Sequence, residues 1–159
     1  MENKEFDPVQ RPSHYAGQGE IECIDFIEIM IKNYNGVIAG SLFNTLKYTW
    51  RTHDKNGKQD LEKALWYAKK AATKIELDKD ITPCIECAKQ FSGSLTVEEE
   101  LIIFKAVNQI VSKLTKEEAD CYLTIVSCII NGGLNNNIKD YSANMIKAIE
   151  KWIEIYKEK

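Results

Sequence analysis

Arginine is nearly missing from this chain. Of 21 basic residues only Arg11 and Arg51 are arginine, and the rest are lysine. The formal net charge of −3 leaves no basic excess, which excludes a general nucleic-acid binder. Phosphate-binding loops of the usual kind are missing too: neither G-x-x-x-x-G-K-[ST] nor G-x-G-x-x-G occurs, so phosphate chemistry here would not use a P-loop. Five cysteines without regular spacing exclude a disulfide framework. Cys23, Cys121 and Cys128 sit in apolar runs and read as small core residues. Cys84-x-x-Cys87 has metal or redox spacing, but no second pair, ligand histidine or βαβ pattern accompanies it, which makes it structural. The longest uncharged, mostly apolar run, residues 121–130, is too short to span a bilayer. The opening MENKEFDPVQ has no apolar signal-peptide core. These absences lead us to expect a soluble, cytoplasmic protein without a membrane partner.

What is present is helical periodicity. At 159 residues the chain is long enough for one real core. Residues 1–19 are polar and read as an extended arm. Residues 20–34 carry an apolar helix with Asp25, Glu28 and Lys32 on its polar stripe, closed by Asn35-Gly36. A second helix spans roughly 37–53, and Asn56-Gly57 marks a turn. A third covers 59–77. Beyond it, Thr82-Pro83 is a helix start, and Thr96 with Glu99 and Thr115 with Glu118 each spell a capping box. Asn131-Gly132-Gly133 reads as a helix end, and Asn137 with Asp140 as the cap of a last helix. The fold class expected is all-α, six to seven helices in a compact bundle. An arm (1–19), a helical motif (20–77) and a C-terminal extension (78–159) packed on the same core make up the expected organisation.

Residues 44–67, NTLKYTWRTHDKNGKQDLEKALWY, hold the candidate chemistry. At about 100° per residue, Asn44, Lys47, Tyr48 and Arg51 fall in one quadrant. Ala39, Leu42, Phe43, Leu46 and Trp50 fall opposite, as a core face. A cationic quadrant with an aromatic ring suits a phosphate and a base, with Arg51 as a bidentate fork, Lys47 as a point charge and Asn44 reading a base or sugar edge. Trp66 lies off the apolar stripe of its helix, among Glu62, Lys63, Lys69 and Lys70, and reads as a subunit contact or a stacking platform. Asp25 and Glu28, one turn apart, are candidate ligands for Mg²⁺ with substrate phosphates. His53 follows the cationic face, where the helix dipole accounts for it.

The same segment, with Pro12-x-His14-Tyr15 and Glu22-Cys23-Ile24-Asp25 upstream, resembles a family of small bacteriophage domains described as nucleotide kinases. The shared pattern continues through Asn44-x-x-Lys47-Tyr48-x-x-Arg51, Lys55, Gly57 and Asp60-Leu61-x-Lys63-Ala64-x-Trp66-Tyr67, covering about residues 11–70. The family places glycine before the asparagine; this chain has Phe43, which alters the size of any pocket there. The resemblance implies a nucleotide ligand, His14, Lys47 and Arg51 in catalysis, and Tyr15, Asn44, Lys47, Tyr48, Arg51, Asp60, Lys63 and Tyr67 in substrate binding. It implies a phage protein acting in the host cytoplasm as a nucleoside monophosphate kinase without a P-loop. The exposed position of Trp66 separately leads us to expect a homo-oligomer formed through its helix. A non-catalytic protein that sequesters a nucleotide is the alternative. An all-α NTP pyrophosphohydrolase is a second one; it needs two carboxylate pairs on neighbouring helices, and Glu22-x-x-Asp25 has its nearest counterpart far along the chain at Glu117-x-x-Asp120.

Overall fold

The computed structural model describes residues 21–34, 36–77, 95–135 and 138–157. Among these residues there are six helices and no strand. They are α1 (Cys23–Ile31), α2 (Gly36–Trp50), α3 (Lys58–Leu77), α4 (Val97–Val111), α5 (Lys116–Asn135) and α6 (Ile138–Ile155). The all-α expectation is met. The arm (1–19), Thr82-Pro83, Cys84-x-x-Cys87 and Asn137 lie outside the described residues.

Local signals explain most boundaries. In α1, Cys23, Phe26, Ile27 and Met30 repeat at helical spacing and are all buried. Thr96 and Glu99 form the reciprocal cap of α4, with Glu99 N donating to Thr96 Oγ1 at 3.2 Å and Thr96 N to Glu99 Oε2 at 2.9 Å. Thr115 and Glu118 repeat the arrangement before α5, at 3.3 and 2.9 Å.

Two sequence readings need correction. Helix α5 does not end at Asn131-Gly132-Gly133 but runs through both glycines to Asn135. A Cβ on Gly133 would come within 3.2 Å of Tyr34 Cε2 and 3.3 Å of Asn33 Cβ. The glycine admits the turn after α1, which also anchors itself by donating the Tyr34 hydroxyl to the Ile129 carbonyl. The core face of α2 is also rotated from the expected one. Ala39 and Phe43 are only half-buried, while Ser41, Thr45 and Thr49 are buried beside Ile38, Leu42, Leu46 and Trp50. Each of those hydroxyls donates to the carbonyl four residues back, at 2.9–3.1 Å, so the small polar ridge is satisfied within its own helix.

Across from that ridge, α3 presents Ala64, Ala68 and Ala71, all fully buried. Small residues on both sides let α2 and α3 pack closely, and Thr45 Oγ1 reaches the Ala64 carbonyl at 3.5 Å. Helix α6 packs on both α3 and α5; α1 contacts α2, α4 and α5. One continuous core results, running from Cys23 to Trp152 and centred on Phe26, Trp50, Tyr122 and Trp152. No helix among the described residues is long and apolar enough to cross a membrane.

Candidate functional site

The α2–α3 junction assembles the site. Helix α2 stops at Trp50, and Arg51 opens a tight turn in which its carbonyl accepts from the amides of Asp54 and Lys55, both at 3.0 Å. Gly57 closes the turn at φ +52°, a left-handed conformation that other residues adopt at a cost. The turn delivers Asp60 to the first turn of α3, directly beneath Arg51.

Arg51 and Asp60 are both buried, and they meet through two bonds, Nε to Oδ2 at 3.0 Å and Nη2 to Oδ1 at 3.2 Å. Asn56 Nδ2 adds a third donor to Asp60 at 3.2 Å, and Lys63 Nζ stands 3.6 Å from Oδ1. Arg51 thus uses a guanidinium fork, but on a carboxylate of its own chain. Asp60, implied as a substrate ligand by the family pattern, is fully enclosed by these partners.

Above this pair lies the Tyr48 ring. Arg51 Cζ is 4.7 Å from its centroid, Lys47 Nζ 4.8 Å and Lys63 Nζ 5.7 Å. Tyr67 stacks on it at 5.9 Å, and Trp66 meets Tyr67 edge-on at 4.7 Å. The structure therefore brings together Asn44, Lys47, Tyr48, Arg51, Asp60, Lys63 and Tyr67, as the sequence pattern implies. Asn44 bonds along its own helix: its Nδ2 donates to Gly40 O at 2.9 Å and its Oδ1 accepts from Lys47 at 2.7 Å. It orients the lysine.

Lys47 is the electrostatic oddity of the cluster. Its ammonium meets Asn44 and the rings of Phe43 and Tyr48, and among the described residues no carboxylate lies within ion-pair distance of it. Burial, and next the adjacent Arg51, lower its pKa from the ordinary lysine value. Behind it, burial pushes the Cys23 thiol up to about 12 against the pull of Lys47 and Arg51, which keeps that thiol neutral.

Trp66 is 58 % exposed, with Lys70 Nζ 5.1 Å from its ring. Lys70 beside Trp66 matches the sequence reading, whereas Lys47 Nζ at 5.8 Å from the Phe43 ring places beside the cation a residue expected on the core face, although both pairs are four-residue spacings that bring side chains together on a helix.

Other sequence candidates lie elsewhere. Asp25 and Glu28 are exposed on α1, in an open groove of about 380 Å³ shared with Lys32 and Glu99, which pair at 2.6 Å. Among the described residues no group of three or more histidine, cysteine or acidic side chains is placed to hold a metal ion. His14 and Tyr15 lie outside the described residues. His53 does more than face a helix end: its Nε2 is 3.1 Å from the buried Glu118 Oε1.

No curated protein and no solved structure matches the chain. Residues 9–69 match the profile of a family described as a protein of unknown function (DUF3310). Helices α4 to α6 lie beyond the match. The chain thus carries a region similar to DUF3310, and that region supplies every member of the Tyr48 cluster.

Proposed function

We propose that the α2–α3 face binds a nucleotide, with phosphate at Lys47 and Lys63 and the base against Trp66. The observation that carries this reading is Lys47, a half-buried cation without a carboxylate partner among the described residues, placed beside a second cation. A phosphate would supply the missing countercharge and restore the lysine's ordinary affinity for its proton. Lys63, Trp66 and Lys70 share one ridge of α3 at three- and four-residue spacing, so a stacked base and an adjoining phosphate fit along it.

The bacteriophage-family resemblance would add phosphoryl transfer, with positioning and charge neutralisation doing most of the work and Mg²⁺ arriving with the phosphates. A second reading, sequestration without turnover, draws support from Asp60. It is the carboxylate of the cluster, and it is enclosed by Arg51, Asn56 and Lys63 rather than presented as a base or metal ligand.

Calorimetry against nucleoside mono-, di- and triphosphates and cyclic nucleotides tests binding. Lys47→Met should weaken it roughly ten- to hundredfold, the worth of one charge-assisted hydrogen bond; unchanged affinity would place the site elsewhere. Arg51 is a poor probe, because replacing it strands a buried carboxylate. Incubating deoxynucleoside monophosphates with triphosphate donors and Mg²⁺, then separating products, distinguishes the two readings. New diphosphate lost in Lys47→Met means transfer, and ligand recovered intact means sequestration.

A further inference from the structure

What a lysine can do depends on whether its nitrogen carries a proton, and the surroundings of Lys47 bear on that directly. The nitrogen donates to Asn44 Oδ1 at 2.7 Å, stands 4.8 Å from the Tyr48 ring and lies 5.8 Å from the Phe43 ring. Arg51 Cζ approaches the same Tyr48 ring at 4.7 Å, so two cations crowd one aromatic group. The charged and titratable groups facing Lys47 are Cys23 of α1, Arg51 beyond the end of α2, and Asp60 and Lys63 of α3. Asp60 is taken up by Arg51, Asn56 and Lys63. Burial, and next Arg51, outweigh the opposing influence of Cys23 and Asp60, so more of this amine is unprotonated at neutral pH than is usual for lysine.

A partly desolvated lysine beside a second cation is the arrangement that activates an amine as a nucleophile. Without its third proton the nitrogen still has an N–H to give Asn44, and its lone pair is open to an electrophile. The cluster also selects the electrophile. Lys63 Nζ lies 5.7 Å from the Tyr48 ring, so an anionic leaving group can rest on that cation while Lys47 attacks the atom joined to it.

We propose that Lys47 is an acyl-acceptor site, taking the acyl group of a small acyl phosphate whose phosphate docks on Lys63. The neutral nitrogen attacks the acyl carbon and a C–N bond forms. The bond from that carbon to the phosphate oxygen breaks, its electron pair leaves with inorganic phosphate, and the proton shed by the nitrogen passes to solvent. The amide product is uncharged, so the modification removes one cation from the cluster. This assignment stands on the geometry around Lys47 and does not require that the face bind a nucleotide.

Treating the full chain with acetyl phosphate and mapping the product by peptide mass spectrometry tests this. At neutral pH Lys47 should acquire acetyl several times faster than Lys58 and Lys74, which are exposed on α3. That lead should shrink as pH rises towards 10.5, where ordinary lysines lose their protons too. In urea it should vanish. Lys63→Gln should slow labelling of Lys47 by acetyl phosphate several-fold and leave labelling by a neutral acetyl ester unchanged, with melting temperatures verifying that the variant is folded. Equal labelling of Lys47 and the exposed lysines at neutral pH would overturn the proposal, as would a lead that persists in urea. Lys63→Gln acting alike on both reagents would overturn acyl phosphate as the donor class. A nucleotide that shields Lys47 from acetyl phosphate supports both this site and the nucleotide reading; labelling without shielding supports the acyl site and places the nucleotide elsewhere.

Discussion

An ammonium whose neighbours are an amide oxygen, two aromatic rings and another cation has exchanged water for poorer company. Lys47 is in that position, and its lowered pKa records it. Between that depressed value and 10.5, the unfolded chain binds more protons here than the folded one, so stability rises with pH across the window. Lys47→Met, which keeps the apolar stem, should raise the melting temperature at neutral pH and flatten this alkaline rise while losing anion binding. Thermal denaturation between pH 7 and 11 measures both; an unstable Lys47→Met protein would refute the idea that the cation is retained at the expense of stability. At this scale the sequence was partly legible. Spacing alone placed Asn44, Lys47 and Tyr48 together, because helical geometry fixes which residues are neighbours. It did not show that Arg51 is taken up by Asp60, since the turn between α2 and α3 folds that pair together and periodicity does not describe turns.

The helix pair α2–α3 depends on that ionic latch. Arg51 and Asp60 belong to the two ends of one turn, and both are buried. Arg51→Met or Asp60→Asn should each cost about 3–5 kcal/mol, since each leaves a buried group with its countercharge or its donors mismatched. Changing both, Arg51→Met with Asp60→Asn, should cost less than the two single effects combined. Urea denaturation of the three variants checks this, and strict additivity would show that the pair is not coupled. The helices themselves were readable from apolar spacing and from the Thr–Glu caps. The face of α2 that packs on α3 was not, because Ser41, Thr45 and Thr49 look solvent-facing by residue type. They are buried because their hydroxyls bond to their own helix, a local solution invisible to a hydrophobicity count. Gly133 in α5 misled for the reverse reason: it permits a close approach by the turn after α1, and proximity of segments about a hundred residues apart is a tertiary fact.

For the molecule as a whole, Glu118 is the joint. Oε1 contacts His53 at 3.1 Å beyond the end of α2 and accepts from Trp152 Nε1 of α6 at 3.3 Å, while Oε2 caps α5 through the Thr115 amide. Burial pushes its pKa up, but the Thr115 amide, the charge of His53 and the Trp152 indole outweigh it and hold the carboxyl below its ordinary 4.5. A carboxylate with a depressed folded pKa contributes stability that is complete above 4.5 and lost as pH falls through the lower folded value. Glu118→Gln should therefore cost roughly 1–3 kcal/mol at pH 7, with the gap from wild type narrowing below pH 4. Chemical denaturation at both pH values decides it; a gap independent of pH would remove the charge from the explanation. The packing of α6 on α3 also sets an order of events during synthesis. Helix α3 is complete once Leu77 leaves the ribosome, yet α6, which also packs on it, ends at Ile155. At about 5–20 residues per second that leaves an interval on the order of ten seconds in which the nascent chain carries an unfinished core, open to chaperones and to neighbouring chains on the same message.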